Sequence, residues 1–293
     1  MRKLIVSMAI NCIAFFIFDI VFAETPIFDE IKTVLHVKSW YSGCPECRDK
    51  FETAYREVII GSDEWKELID FHCGCLIEDH REAEAISVLN KALEVDPDNY
   101  LFMSSIGTAY LRLNDIENAE KYYEKSNNIK INRISSYHLA HVHLVKGTSI
   151  DISKDKRIDF LEKSENEINA AISMYESNDH ISRYAPICLN VLLAHIKFAQ
   201  GDIGEFCKIM TSLIKNVESA TDWPYEKRLF WLAELYGSYG TMLHASGKKQ
   251  DGIEFLNKSI ETAPTQSLKE MKKILLDLTV NPSRDGQAKV SSR

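Results

Sequence analysis

The sequence predicts an all-α fold built from repeated helical hairpins, and three observations lead to this prediction. Apolar residues recur at i, i+3, i+4 and i+7 over long stretches, which places them on one face of an α-helix. Glycine and proline, which interrupt regular structure, number only 12 and 7 in 293 residues. A pattern of small and large residues also recurs along the chain, as it does in repeat architectures.

The clearest copy of this pattern spans residues 100–131. Its small residues, Gly107 and Ala119, stand at relative positions 8 and 20, with large residues at positions 7, 11 and 24. Small residues at two fixed points let two antiparallel helices approach closely, while large residues fill the space around the contact. Asn114 and Asp115 supply the predicted turn between the helices.

Four further copies are predicted. One leads through Tyr236 to Pro264, with its turn at Gly247. Another, counted back from Pro97, places its first helix at about 66–79 and so puts Cys73 at position 8. Two poorer copies cover about 137–171 and 181–217, the second with its turn at Gly201-Asp202.

This pattern resembles the tetratricopeptide repeat family. The resemblance implies a right-handed, helical-hairpin repeat solenoid (TPR-like) over residues 65–264. A cysteine-containing helical segment is predicted before it, at 24–64. An amphipathic capping helix at 265–280 and a disordered tail at 281–293 are predicted after it.

Residues 1–23 have the layout of a secretory signal peptide: two basic residues, an apolar run and a small residue, Ala23, at the expected cleavage point. A retained membrane anchor and a lipid-modified start at Cys12 are the alternatives. We therefore expect an exported protein, with the bacterial periplasm favoured over secretion or membrane anchoring. On this interpretation the chain contacts a membrane only if the signal segment stays uncleaved.

The resemblance also implies a partner-binding face. In the family, positions 2, 5, 9, 12 and 13 of each first helix line a concave groove. In the two central copies these positions include seven residues that we take as candidates for partner binding: Leu101, Ser104, Thr108, Leu111, Arg112, His138 and Val142. The resemblance thus implies a non-catalytic scaffold for a protein or peptide partner, within an envelope or secretion assembly.

Other classes of function find little support. The formal net charge is −8 and no basic cluster is present, which argues against a nucleic-acid partner. The chain has no phosphate-binding glycine loop, no HExxH and no GxSxG, so we predict no catalytic residue and no cofactor. His138, His141 and His143 are spaced for metal binding, but helix packing explains His141, and no metal site is predicted.

Four cysteines near the start form the remaining candidate site: Cys44, Cys47, Cys73 and Cys75. Without the predicted signal peptide, which holds Cys12, the chain has six cysteines. An even cysteine count in an exported chain favours disulfides, and the first two of these four could be joined to the last two as a structural staple. Four thiolates around zinc are one alternative. A thiol–disulfide oxidoreductase or redox-controlled adaptor that uses Cys44 and Cys47 is the other. Further along the chain, Cys188 and Cys207 could also pair.

Overall fold

The structure, a computed structural model, describes residues 45–176 and 185–280, without the side chains of residues 45–50 and 176. The predicted signal peptide, Cys44 and the predicted tail therefore lie outside the described residues. Within them the regular structure is entirely helical. The predicted fold class, an all-α repeat of helical hairpins, is confirmed for this part of the chain.

The described helices are α1 (Pro45–Glu57), α2 (Asp63–Glu78), α3 (Glu82–Val95), α4 (Tyr100–Arg112), α5 (Ile116–Ile129), α6 (Arg133–Gly147), α7 (Lys154–Glu176), α8 (Ala185–Gln200), α9 (Ile203–Ser219), α10 (Tyr225–Ala245), α11 (Lys249–Thr262) and α12 (Gln266–Val280). The chain divides into two compact units. The N-terminal unit includes residues 45–142 and 166–176, and the C-terminal unit includes residues 143–165 and 185–280.

Four hairpins, α2–α3, α4–α5, α8–α9 and α10–α11, share one turn geometry. Each turn has a single residue in the left-handed region, namely His80, Asn114, Gly201 or Gly247. The amide of the following residue donates back to a carbonyl in the last turn of the first helix. These hydrogen bonds run from Arg81 N to Leu76 O, Asp115 N to Tyr110 O, Asp202 N to Lys197 O and Lys248 N to Leu243 O, over 2.8–3.0 Å.

This arrangement is a Schellman motif, in which a left-handed residue lets the chain reverse while the last helical carbonyls stay hydrogen-bonded. The turns predicted at Asn114, Gly201 and Gly247 are confirmed. The first helix predicted at about 66–79 places a turn near His80 as well, although histidine itself gives no turn signal in the sequence. A second signal follows two of these turns: the side chains of Asp115 and Asp202 accept from backbone amides of α5 and α9 as N-caps.

The core of the N-terminal unit is continuous from one hairpin to the next. Trp65, Leu89 and Phe102, from α2, α3 and α4, belong to one buried cluster. Tyr123 of α5 belongs to the next cluster, together with Val142 of α6. Each hairpin therefore packs its second helix against the first helix that follows, as stacked repeats do.

A close contact within two of the hairpins falls at the predicted small position 8. A Cβ atom on Gly107 would lie 2.8 Å from the ring of Tyr123. In α10–α11 the backbones themselves meet, since a Cβ on Gly240 would lie 2.7 Å from the carbonyl oxygen of Gly252. A side chain larger than hydrogen at these glycines would push the helices apart.

A hydroxyl adds a fixed polar contact to the same two hairpins. Ser126 Oγ donates to the Tyr100 carbonyl at 2.7 Å, and Ser259 Oγ donates to the Ala233 carbonyl at 2.5 Å. Both serines stand at position 27 of their copies, and both carbonyls belong to position 1. The shared contact confirms that the two copies have one register.

The C-terminal unit departs from the simple repeat in two places. α10 begins at Tyr225, well before the predicted copy, because Pro224 is already extended there and the helix can start after it. At the other end, α12 packs on α10 and α11, where Leu268 joins a buried cluster with Ala233 and Ala263. Among the described helices, none is both long and apolar enough to cross a membrane.

We predict that Gly240→Ala lowers the free energy of unfolding by about 2 kcal/mol or more, since the new methyl would overlap backbone atoms that cannot move aside. Urea unfolding followed by circular dichroism measures the change. Gly204→Ala is the matched control, because its Cβ would meet only the Asp202 Oδ1 atom at 3.6 Å, and it should be neutral or slightly stabilising. Equal stability of the two variants would contradict the close approach.

Candidate functional site

The candidate site begins with two neighbouring first helices of the N-terminal unit, α2 and α4. Ser105 Oγ donates to Asp70 Oδ1 at 2.6 Å, and the Arg112 guanidinium donates to Glu78 Oε1 at 2.7 Å. These hydrogen bonds join the two helices near the middle and near the C-terminal end of α4. The two helices therefore present one ordered surface, which we call the first-helix face.

Two predicted residues lie at the open side of α4. Leu101 is 37% exposed in the first turn of the helix. Thr108 is half-buried, and its hydroxyl accepts from Tyr123 at 3.0 Å and donates to the Ser104 carbonyl at 3.2 Å. Leu101 thus offers an apolar contact, whereas Thr108 is held by its own helix and by α5.

Ser104 stands at the same repeat position as Asp70 of α2, position 5. Its side chain is only 2% exposed, and its Oγ atom has no hydrogen-bond partner in the structure. A buried hydroxyl without a partner costs free energy. The Ser104 hydroxyl is therefore a buried polar group at the site. A partner could form a hydrogen bond with it only if the residues that cover it moved aside.

Val142 and Leu111 meet the same buried cluster from different sides. Val142 is fully buried and belongs to the cluster with Ala119, Tyr123 and Leu139. Leu111 is partly buried and packs against that cluster from its edge. The side chain of Val142 consequently lies in the core, although its repeat position indicated the groove, and only Leu111 of this pair retains exposed surface.

His138 is also buried, with 5% of its surface exposed. Its ring stacks on Tyr123, with ring centres 5.0 Å apart and planes at 10°, and it meets Tyr137 edge-on. Burial, with a smaller contribution from the nearby charges of His141 and Arg112, lowers the pKa of His138 to about 3. His138 is therefore neutral at physiological pH and stabilises the packing of α6 on α5.

Arg112 forms a largely buried ion pair with Glu78, in which the two side chains are 15% and 13% exposed. Burial raises the pKa of Glu78, and the charge of Arg112 opposes this rise only in part. Breaking such a pair leaves a poorly solvated charge behind. Arg112 therefore positions α4 against α2, whatever further contact it makes.

The acidic part of this face was missed in the sequence. Glu67, Asp70 and Glu78 occupy positions 2, 5 and 13 of the copy counted back from Pro97. Burial raises the pKa of Asp70, and its hydrogen bond to Ser105 opposes the rise. The same register that selected Leu101 and Arg112 on α4 would have found these carboxylates on α2.

The corresponding face of α10 in the C-terminal unit is covered by α12. Lys272 Nζ lies 2.8 Å from Glu234 Oε1, and the two side chains are 5% and 13% exposed. A Cβ on Gly237 would lie 3.5 Å from the same Nζ atom. Residues that the register placed in a groove here are therefore contacts of the last described helix.

The cysteine site is only partly within the described residues. Cys44 and the side chain of Cys47 lie outside them. Cys73 is completely buried and its thiol points at the Ala85 carbonyl, at 3.8 Å, while Cys75 is partly exposed. No disulfide joins any two of the four described cysteines, Cys188 and Cys207 included. Among the described side chains, no three of His, Cys, Asp or Glu are grouped to hold a metal ion.

Comparison with known proteins finds one family model and solved structures with low sequence identity. The family model for the tetratricopeptide repeat matches residues 102–130. A tetratricopeptide repeat protein from Parabacteroides merdae ATCC 43184 is 15% identical, with a TM-score of 0.48 over 87% of this chain and 98% of that chain. YrrB, described as a TPR protein with an unusual peptide-binding site, is 16% identical, with a TM-score of 0.44 over 76% and 97%. No curated protein matches in sequence.

The shared turns, the close contact at the glycine of position 8 and the serine contact at position 27 define a helical-hairpin repeat. The matched residues coincide with α4 and α5, whose register recurs in α10 and α11. Residues 102–130 therefore form a tetratricopeptide repeat.

The buried histidine leads to a prediction on pH. The unfolded chain binds a proton at His138 near pH 6.5, whereas the folded chain does so only near pH 3. The folded state is therefore favoured above pH 6.5 and loses stability as the pH falls below it, by about 2 kcal/mol at pH 5. His138→Phe retains the stacked ring without the titration, so its loss between pH 7.5 and pH 5 should be about 2 kcal/mol smaller.

Urea unfolding of both proteins at the two pH values measures this difference. Half-buried His72 and buried His195 each have a pKa lowered to about 4. These two histidines and the carboxyls with raised pKa are common to both proteins, so their contributions cancel. An equal loss in wild type and His138→Phe would show that His138 is not neutral and buried.

Proposed function

We propose that this protein is a non-catalytic scaffold that binds a protein or peptide partner on the first-helix face of its N-terminal unit. The observation that carries the proposal is the pairing of α2 with α4 through Ser105–Asp70 and Arg112–Glu78. A face held in this way is ordered before a partner arrives. Preordered surfaces bind at a lower entropic cost than mobile ones.

The chemistry of the face suits a peptide with apolar anchors. Leu101 and the exposed edge of Leu111 supply apolar contacts on α4, and the Thr108 hydroxyl lies between them. The charge of Arg112 is already matched by Glu78, so the face offers no free cationic clamp on α4. An extended or helical segment with aliphatic or aromatic side chains is the partner that these groups recognise.

Export to the periplasm, within an envelope or secretion assembly, completes the proposal. It is supported by the signal-peptide layout of residues 1–23. The alternative, a thiol–disulfide oxidoreductase that uses Cys44 and Cys47, involves side chains outside the described residues. No observation on the described residues favours it over the scaffold.

Replacing Leu101 with aspartate should abolish partner capture, because a charge would then be buried against an apolar anchor. A loss of tenfold or more in recovered partner is expected, which corresponds to about 1.4 kcal/mol. A photoreactive amino acid at position 101 should cross-link the partner in cells, and mass spectrometry of the adduct identifies it. Position 101 cannot hold aspartate and the photoreactive amino acid at once. In the Leu101→Asp variant the photoreactive amino acid therefore replaces Thr108.

Ile158→Asp is the matched control for capture, since Ile158 is a similarly exposed aliphatic side chain, at 46%, on the second helix α7. It should retain the partner, and a photoreactive group there should give no specific adduct. Adducts from position 158 but not from 101 or 108 would place the binding surface elsewhere. Unchanged capture by Leu101→Asp would refute the first-helix face.

The export proposal has its own test. The intact mass of the protein purified from its native cells should match a chain that begins at Glu24, because cleavage is expected after Ala23. A mass that retains Met1 would favour an uncleaved anchor or no export. A chain that begins at Cys12 with an attached lipid would favour the lipoprotein alternative.

A further inference from the structure

We infer that the first-helix face binds a lysine side chain of the partner between Glu67 and Asp70 of α2. The inference rests on the proposed function and names the chemistry of the partner segment, which is a lysine near an apolar residue. Three observations carry it: a half-buried carboxylate without a counter-charge, an ammonium at the equivalent point of the other unit, and a buried hydroxyl without a partner on the neighbouring helix.

The carboxylate is that of Asp70, which is half-buried on α2. Among the described residues its hydrogen-bond donor is Ser105 of α4, whose Oγ atom lies 2.6 Å from Oδ1, and no cation pairs with it. A hydroxyl donates a single hydrogen bond and carries no net charge, whereas a carboxylate has about four acceptor sites. Burial raises the pKa of Asp70, and the hydrogen bond from Ser105 opposes this rise only in part. The charge and the remaining acceptor sites of Asp70 therefore suit a cationic donor.

The C-terminal unit shows where an ammonium lies on such a helix. Lys272 of α12 places its Nζ atom 2.8 Å from Glu234 Oε1 of α10, and a Cβ on Gly237 would lie 3.5 Å from the same Nζ atom. Glu234 and Gly237 occupy positions 2 and 5 of their copy. On α2 the same two positions hold Glu67 and Asp70. An ammonium at the corresponding point of α2 would therefore lie between two carboxylates.

On α4 a hydroxyl replaces this ammonium. Ser105 follows Asp70 by 35 residues, and Lys272 follows Gly237 by the same interval. Ser105 thus holds the repeat position of the lysine, but its side chain is short and uncharged. Because α4 leaves the charge of Asp70 uncompensated, a lysine from a partner can supply the ammonium that α12 supplies in the other unit. Lysine suits this role, since its ammonium has three donors on a long stem.

Two residues of α4 extend the site beyond the carboxylates. Ser104 stands at position 5 of α4, as Asp70 does on α2, and its buried Oγ atom has no hydrogen-bond partner among the described residues. This oxygen can accept from the bound ammonium once the residues that cover it move aside. Leu101 lies one turn before Ser104 on α4 and is 37% exposed. A partner segment that packs an apolar side chain on Leu101 therefore brings its neighbouring residues close to Asp70.

The first test uses the full chain and a library of random peptides displayed on phage. Wild type should select peptides with a lysine near an apolar residue, and Asp70→Asn should select the apolar residue without the lysine. A wild-type consensus with arginine or with no basic residue, or a lysine that persists with Asp70→Asn, would overturn the inference. The proposed function still stands in those cases if Leu101→Asp loses the apolar consensus. No consensus for wild type would overturn both.

The second test measures the pairing of lysine with Asp70 directly. It uses one selected peptide and a counterpart in which norleucine replaces the lysine. Fluorescence anisotropy with wild type should give a Kd about tenfold higher for the norleucine peptide, because a charge-assisted hydrogen bond is lost. Asp70→Asn should bind both peptides with the weaker Kd, so that the two changes together weaken binding no more than either alone. Additive losses would show that the lysine binds elsewhere, against the inference.

Two further variants separate the site from general effects of charge and folding. Ser105→Lys supplies an ammonium from α4 itself and keeps Asp70, so it should weaken the lysine peptide about tenfold and leave the norleucine peptide unchanged. Unchanged binding of the lysine peptide by this variant would contradict the inference.

Asp63→Asn is the matched charge control, because the Asp63 side chain lies on the same helix and is 94% exposed. It should leave both Kd values unchanged, and a loss equal to that of Asp70→Asn would show an effect of net charge alone, against the inference. Urea unfolding checks that Asp70→Asn folds. It should be at least as stable as wild type, because burial disfavours the charge of Asp70 and the asparagine amide oxygen still accepts from Ser105.

Discussion

The close approach of the two helices in the α4–α5 and α10–α11 hairpins is the constraint on which the rest of the structure depends. In α10–α11 it requires that two glycines, Gly240 and Gly252, face each other with no side chain between their backbones. In α4–α5 Gly107 accepts the ring of Tyr123 instead. The hairpins can pack into layers only because these points are small, since helix separation is set by the bulk at the crossing.

The same contact determines what the first-helix face can offer. Tyr123 fills the space above Gly107, hydrogen-bonds to Thr108 and stacks on His138. One second-helix residue thus fixes side chains on two successive first helices. Residues near this tyrosine lose exposure, and those at the ends of α4, such as Leu101, keep it. The apolar surface left for a partner is consequently limited and placed toward the helix start.

Sequence patterns predicted the parts of this arrangement that depend on local chemistry. The turns at Asn114, Gly201 and Gly247 could be predicted because glycine and asparagine tolerate left-handed backbone. The burial of Val142 could not, because repeat position alone does not show how deeply α6 settles against α5. The same limit applies to Glu78, whose partner Arg112 is 34 residues away and becomes a neighbour only when the helices stack.

The order in which helices pack has a consequence for how the protein is made. Within the N-terminal unit, each described helix contributes to clusters formed with the next helices along the chain, and contacts between near neighbours form quickly because little chain entropy is lost in closing them. A hairpin such as α2–α3 can therefore form many of its own contacts before α5 is in place. Folding can proceed from one hairpin to the next along the chain, and each packed layer provides the surface for the following one.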